Sequence, residues 1–94
     1  MHMPALSPSA ITEALASVPD WHVKKDLLVR TFTFTDFREA MSFVNSVAAL
    51  AERAAHHPDI DIRYNKVELA LSTHDEGGIT EKDFLLAAQI GKIL

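Results

Sequence analysis

Apolar and polar residues follow two rhythms along this chain, and the switches between them outline three helices and four strands. Ile11, Leu15 and Val18 share one helical face. Ser7 can cap that helix, Pro8 suits its first position, Leu6 can staple to Ile11, and Pro19-Asp20 ends it. Residues 21–24 read as a short strand and 25–26 as a tight turn, without the glycine that a two-residue hairpin prefers. Residues 27–34 read as a second strand with Leu28, Phe32 and Phe34 on one face. Arg30 interrupts that face, which predicts an edge strand or a polar contact for Arg30. A longer helix follows. Asp36 and Glu39 form an Asp-x-x-Glu variant of the capping box, and Phe37, Ala40, Met41, Val44, Val47, Ala48 and Ala51 repeat at helical spacing. Phe43 and Leu50 lie off this stripe as surplus apolar residues. Pro58 stops the helix and disfavours helical geometry at His57, so His56 and His57 sit at or just past its C-terminus. Ile60, Ile62 and Tyr64 alternate with Asp61, Arg63 and Asn65, and Val67, Leu69 and Leu71 alternate with Glu68, Ala70 and Ser72, giving two half-buried strands. His74 lies at the end of the second, residues 75–78 form a turn, and Thr80 caps a last helix with Asp83 three residues on and Ile79 stapled to Phe84. The order α-β-β-α-β-β-α predicts an α+β two-layer domain, a four-stranded antiparallel sheet with three helices on one face.

Size and charge narrow the classes of function. The 94 residues make one domain, 1–94, with a core small enough that self-association would help it. A two-layer domain leaves one sheet face bare, and no proline blunts strand pairing in segments 60–64 and 67–71. Phe43 and Leu50 offer apolar surface to a partner helix, so at least a dimer is expected. The net charge of −4, with no basic block, argues against a nucleic-acid partner. No apolar run approaches the length of a membrane span, and no signal peptide is visible. Zero cysteines exclude disulfides, thiolate nucleophiles and cysteine-type zinc sites, and fit a cytoplasmic location. His2, in Met1-His2-Met3, is given no role.

The chemistry concentrates around His56-His57-Pro58. Three of the five histidines, His56, His57 and His74, fall within a short stretch, beside Glu52, Asp59, Asp61 and Asp75. Imidazole exchanges protons near neutral pH, so the cluster points to acid–base chemistry or to metal binding. Zinc sites from histidine usually show spaced pairs, whereas adjacent rings at a helix end diverge, which disfavours a metal. A duller reading is that a partly positive ring at a helix C-terminus offsets the helix dipole. That reading accounts for one of the pair, not for both together with His74. Glu52 and His56 are four residues apart and share a helix face if the last turn holds. Ser72-Thr73-His74-Asp75 is no hydrolase triad, because neighbours on a strand point to opposite faces.

Glu52-x-x-x-His56-His57-Pro58, then Tyr64, His74 and Asp83, resembles the signature of the pterin-4a-carbinolamine dehydratases, with five, nine and eight residues in the successive intervals after Pro58. Tyr64-Asn65-Lys66-Val67, Ser72-Thr73-His74-Asp75 and Gly78-Ile79-Thr80-Glu81-Lys82-Asp83 are similar to that family's wording, as is Phe32-x-Phe34-x-Asp36-Phe37. The resemblance covers residues 6 to 90 or so and departs at two points. Ile60 stands where some members carry an aromatic residue, and Lys82 where some carry Arg.

The resemblance implies one four-stranded antiparallel sheet with helices on one face. It also implies the loss of water from 4a-hydroxytetrahydropterin to give quinonoid dihydropterin, recycling the cofactor of aromatic amino acid hydroxylases. It implies no metal, no organic cofactor, a pterin substrate and a homodimer or homotetramer. By resemblance His56 and His74 form the proton-transfer pair and His57 binds substrate. Glu52 orients or charge-stabilises His56, while Pro58, Asp59, Tyr64, Ser72, Thr73, Asp75 and Asp83 support the site or the substrate. Asp83 also has a purely structural reading as a capping-box residue. A second class stays open, because some relatives serve as dimerisation or assembly partners of other proteins. A third, a metal-dependent enzyme, would carry zinc or iron.

Overall fold

The computed structural model describes residues 4–94; Met1, His2 and Met3 lie outside the described residues. Helix α1 is Pro8–Leu15, strands β1 and β2 are His22–Lys24 and Leu27–Thr33, and helix α2 is Phe37–Ala54. Strands β3 and β4 are Asp59–Arg63 and Lys66–Leu71, a 3₁₀ turn covers His74–Glu76, and helix α3 is Glu81–Gly91. All strand pairings are antiparallel and the sheet order is β1-β2-β4-β3. The expected α+β architecture and element order are present.

Strand periodicity places the core. Leu28 pairs with Leu71, Arg30 with Leu69 and Phe32 with Val67, so these side chains line one face of the sheet. Leu28, Phe32, Val67, Leu69 and Leu71 form one cluster with Val47 of α2 and Leu86 and Ile90 of α3, and Ile11 and Leu15 of α1 pack against it. The three helices therefore bury their apolar residues against the same sheet face. Both tight hairpins manage without glycine, as Lys25 and Tyr64 adopt left-handed backbone at φ 57° and 53°. Among the described residues no helix is long and apolar enough to cross a membrane.

Three details differ from the sequence reading. Strand β2 is interior, not an edge, and Arg30 takes the polar-contact alternative: its guanidinium lies 4.3 Å from the Phe32 ring centre and 3.7 Å from Asp20. Tyr64 does not continue β3 but opens the β3–β4 turn, which Asn65 pins by donating its side-chain amide to Phe34 O at 2.9 Å. Helix α2 is rotated relative to the predicted stripe. Ala40, Phe43, Val47 and Ala51 are its buried residues, and Phe43 stacks on Phe32 and Phe34 with ring centres 4.6 and 5.0 Å apart. Phe43 is thus a core residue, and Leu50, like Val44, packs half-buried against the core, because aromatic packing on β2 turns the helix toward Phe43 and away from Phe37 and Ala48. Phe37 is left half exposed.

The helix starts follow their caps. Ser7 Oγ accepts from Ala10 N–H at 3.2 Å, and Asp36 Oδ1 from Glu39 N–H at 2.9 Å, while Glu39 reaches back to Thr35 N–H at 3.1 Å. Phe43→Ala should lower unfolding free energy by about 3–5 kcal/mol in urea titration, the usual result of emptying a core aromatic site. Asp36→Ala should lower it by about 1 kcal/mol, as for the loss of a helix cap. A Phe43→Ala change smaller than that of Asp36→Ala would contradict the placement of the α2 face.

Candidate active site

The site begins at the last turn of α2. Ala55 takes left-handed backbone at φ 53°, and His56 N–H bonds Ala51 O at 3.1 Å while Ala55 N–H bonds Glu52 O at 3.2 Å. This is a Schellman ending, with alanine where glycine is usual. The turn redirects the chain before Pro58 and sends the two histidines to different partners. His56 points inward, and its Nε2 lies 2.5 Å from Asp83 Oδ1 at the start of α3. His57 points back along α2, with its Nε2 2.5 Å from Glu52 Oε2. Glu52 therefore serves His57, not His56: the left-handed residue breaks the four-residue spacing that the sequence suggested.

The two pairs differ in burial. The His56 side chain is 11% exposed and that of Asp83 0%, whereas His57 and Glu52 are 63% and 76% exposed. Solvent screens the second pair, so its contribution to stability is about 0–1 kcal/mol at most. The first is held by a network. Asp83 Oδ2 accepts Thr80 N–H at 2.8 Å and Thr73 Oγ1–H at 3.0 Å. Thr73 Oγ1 lies 2.8 Å from Thr80 Oγ1, which accepts Lys82 N–H at 3.2 Å. Asp83 is thus a capping-box residue and the partner of His56 at once.

Strand β4 and the connection after it supply the remaining wall. Thr73 bridges Gly78 across the 3₁₀ turn, and Gly77 at φ 74° reverses the chain. That holds His74 exposed at the start of the turn, with no side-chain hydrogen bond among the described residues. Ala55, His56, His57, Ser72, Thr73, His74, Asp75 and Lys82 together line an open cavity of about 280 Å³. A larger opening of about 550 Å³ lies between α1 and α3, lined by Leu6, Ala14, Phe84 and Leu85 among others, but it holds no imidazole. The histidine cavity is the one that carries imidazoles.

Most of the sequence candidates converge here, but Pro58, Asp59 and Tyr64 do not line the cavity. Asp59 is exposed at the start of β3, paired with Ala70, and does not line the cavity. Tyr64 is 65% exposed at the far end of β3, five residues from Asp59 and so about 16 Å along the strand. Motif membership grouped both with the histidines, whereas strand direction separates Tyr64 from them. Pro58 flanks the pair without lining the cavity. Thr80, fully buried, was legible only as a cap; its hydroxyl contact with Thr73 depends on the loop fold. Among the described residues no group of three histidine or acidic side chains is placed to hold a metal ion, since His56 and His57 turn to separate carboxylates.

Comparison with known proteins gives a consistent result. The family model described as pterin 4 alpha carbinolamine dehydratase matches residues 4–93. A Chloroflexus aurantiacus protein named "Putative pterin-4-alpha-carbinolamine dehydratase" is 59% identical, covering 98% of this chain and 99% of its own. One of the same name from Acidobacterium capsulatum is 56% identical, covering 98% and 100%. The crystal structure of a transcriptional coactivator/pterin dehydratase from Brucella melitensis aligns with a TM-score of 0.90 at 35% identity, covering 95% of this chain and 97% of that one. A pterin dehydratase-like protein described as a RuBisCO assembly factor in the alpha-carboxysome aligns at 0.63 and 24% identity, covering 78% and 84%, which shows likeness of fold alone. The match over nearly all of its length places this chain in the pterin 4 alpha carbinolamine dehydratase family.

Proposed function

We propose that the protein is a hydro-lyase that converts 4a-hydroxytetrahydropterin to quinonoid dihydropterin and water. The observation that carries this reading is a cavity lined by three imidazoles, one of them held by a buried carboxylate. The reaction needs a proton delivered to the departing 4a-hydroxyl and a proton removed from a ring N–H. No covalent bond to the protein forms, and no metal or organic cofactor is required. His56 and His74 are the proton-transfer pair: His56 is oriented by Asp83, and His74 is exposed and unpartnered among the described residues. His57, with Glu52, binds the substrate at the open side, where Ser72, Thr73, Asp75 and Lys82 complete the wall. A reducing cytoplasm is the compartment that suits a cysteine-free chain.

The protein works as a symmetric oligomer in this reading. Strand β3 is the longer of the two sheet edges. Its Ile60 and Ile62 lie on the helix-bearing face but stay 37% and 36% exposed. An antiparallel edge can pair with its own copy about a two-fold axis, and Phe37 with the outer stripe of α2 extends the apolar surface. The same surface would serve an assembly role if turnover were absent.

Steady-state kinetics on freshly generated carbinolamine test the catalytic assignment. His56→Ala and His74→Ala should each lower kcat by about 10- to 1,000-fold, while His57→Ala should raise KM more than it lowers kcat. Near-normal turnover in both of the first two variants would defeat the assignment. Activity should survive exhaustive EDTA treatment; loss with recovery on added zinc would replace acid–base catalysis by a metal mechanism. Light scattering should give at least a dimer, reduced to one chain by Ile62→Lys. A one-chain mass for the unaltered protein across a wide concentration range would overturn the oligomer.

A further inference from the structure

The hydrogen bonds around Asp83 have only one consistent direction. An ionised carboxylate is acceptor-only, and a threonine hydroxyl has one proton to give. Asp83 Oδ2 takes the Thr73 hydroxyl proton at 3.0 Å, so Thr73 Oγ1 must accept the Thr80 hydroxyl proton across 2.8 Å. Thr80 Oγ1 in turn accepts Lys82 N–H. Two donors thus fill Oδ2, and Oδ1 is left to His56 Nε2. With the carboxylate accepting at both oxygens, the hydrogen between Oδ1 and the ring is carried by Nε2. The other ring nitrogen, Nδ1, has no partner among the described residues. No buried side-chain nitrogen or oxygen of the described residues lacks a partner, so Nδ1 is open to solvent, and His56 lines the cavity.

We infer that Thr73 and Thr80 are positioning residues which, through Asp83, fix His56 with its proton on Nε2 and present Nδ1 as the atom that takes the substrate's proton. This rests on the dehydratase reading above. In the reaction the ring N–H bond breaks, its proton passes to Nδ1, and its electron pair forms the new C=N bond. The 4a C–O bond breaks, and the departing hydroxyl takes a proton from His74 and leaves as water. The Asp83 carboxylate then faces an imidazolium, whose charge it stabilises while remaining unprotonated.

Long-range ¹H–¹⁵N correlation spectra of the ¹⁵N-labelled full chain test the tautomer directly. Neutral His56 should show Nε2 protonated and Nδ1 unprotonated, and the reverse assignment would overturn the inference even in a fully active enzyme. If the chain lacks dehydratase activity, the spectrum still decides the tautomer, so the two failures are distinguishable. Thr73→Val keeps the side-chain shape and removes the donor. It should mix the His56 tautomers and lower kcat by about 10- to 100-fold with KM little changed, the worth of one hydrogen bond to a charged group. Thr73→Ser, which keeps the hydroxyl, should recover the single tautomer and most of the rate. A Thr73→Val protein with one unaltered tautomer and normal kcat would refute the role of the threonines. Should that variant fail to fold, the wild-type and Thr73→Ser spectra decide the matter.

Discussion

The contact between His56 and Asp83 ties together the elements that wall the histidine cavity. It joins the second residue after the α2 terminus to the first turn of α3, 27 positions on in the sequence, across the whole β3–β4 hairpin. Its geometry depends on three backbone arrangements: the left-handed Ala55 that turns His56 inward, the Thr73–Gly78 bridge that closes the loop, and the capped start of α3. A left-handed alanine is disfavoured by roughly 1–2 kcal/mol. Here it is offset by the Schellman hydrogen bonds and by the His56–Asp83 hydrogen bond, which no helical continuation would reach.

The carboxylate is satisfied with little left over. Removing a donor from a buried, hydrogen-bonded group typically destabilises by about 1–3 kcal/mol, since the acceptor is left short of a partner. Asp83 sits at full burial with three donors on it, His56, the Thr73 hydroxyl and the Thr80 N–H, and the Thr80 hydroxyl in turn supports Thr73. That environment explains why a charged residue stands where a small polar cap would suffice for the helix. The exposed Glu52–His57 pair has no such constraint and can open to solvent without disturbing the core.

Much of the fold was legible because its signals are local. Ser7, Asp36 and Thr80 announced the helix starts, and the alternation through 60–62 and 67–71 announced β3 and β4. What was not legible depends on long-range packing. The rotation of α2 is decided by Phe43 meeting Phe32 and Phe34, which no periodicity within the helix reveals. The partner of Glu52 changed because one non-glycine residue, Ala55, adopts a conformation that its identity does not advertise. The histidines and Asp83 were found by motif spacing, yet their pairing, and the inclusion of Thr80, emerged only from tertiary geometry.

The double duty of Asp83 has a dynamic consequence. Helix ends open locally far more readily than whole domains unfold. In most proteins fraying of a first turn leaves the working site untouched. In this chain the carboxylate that caps α3 is also the one that holds His56, so each opening of that turn releases the imidazole as well. The fraction of molecules with His56 held in place is therefore tied to the protection of the Thr80 amide against exchange with solvent, and a backbone measurement becomes a gauge of how often the imidazole is held.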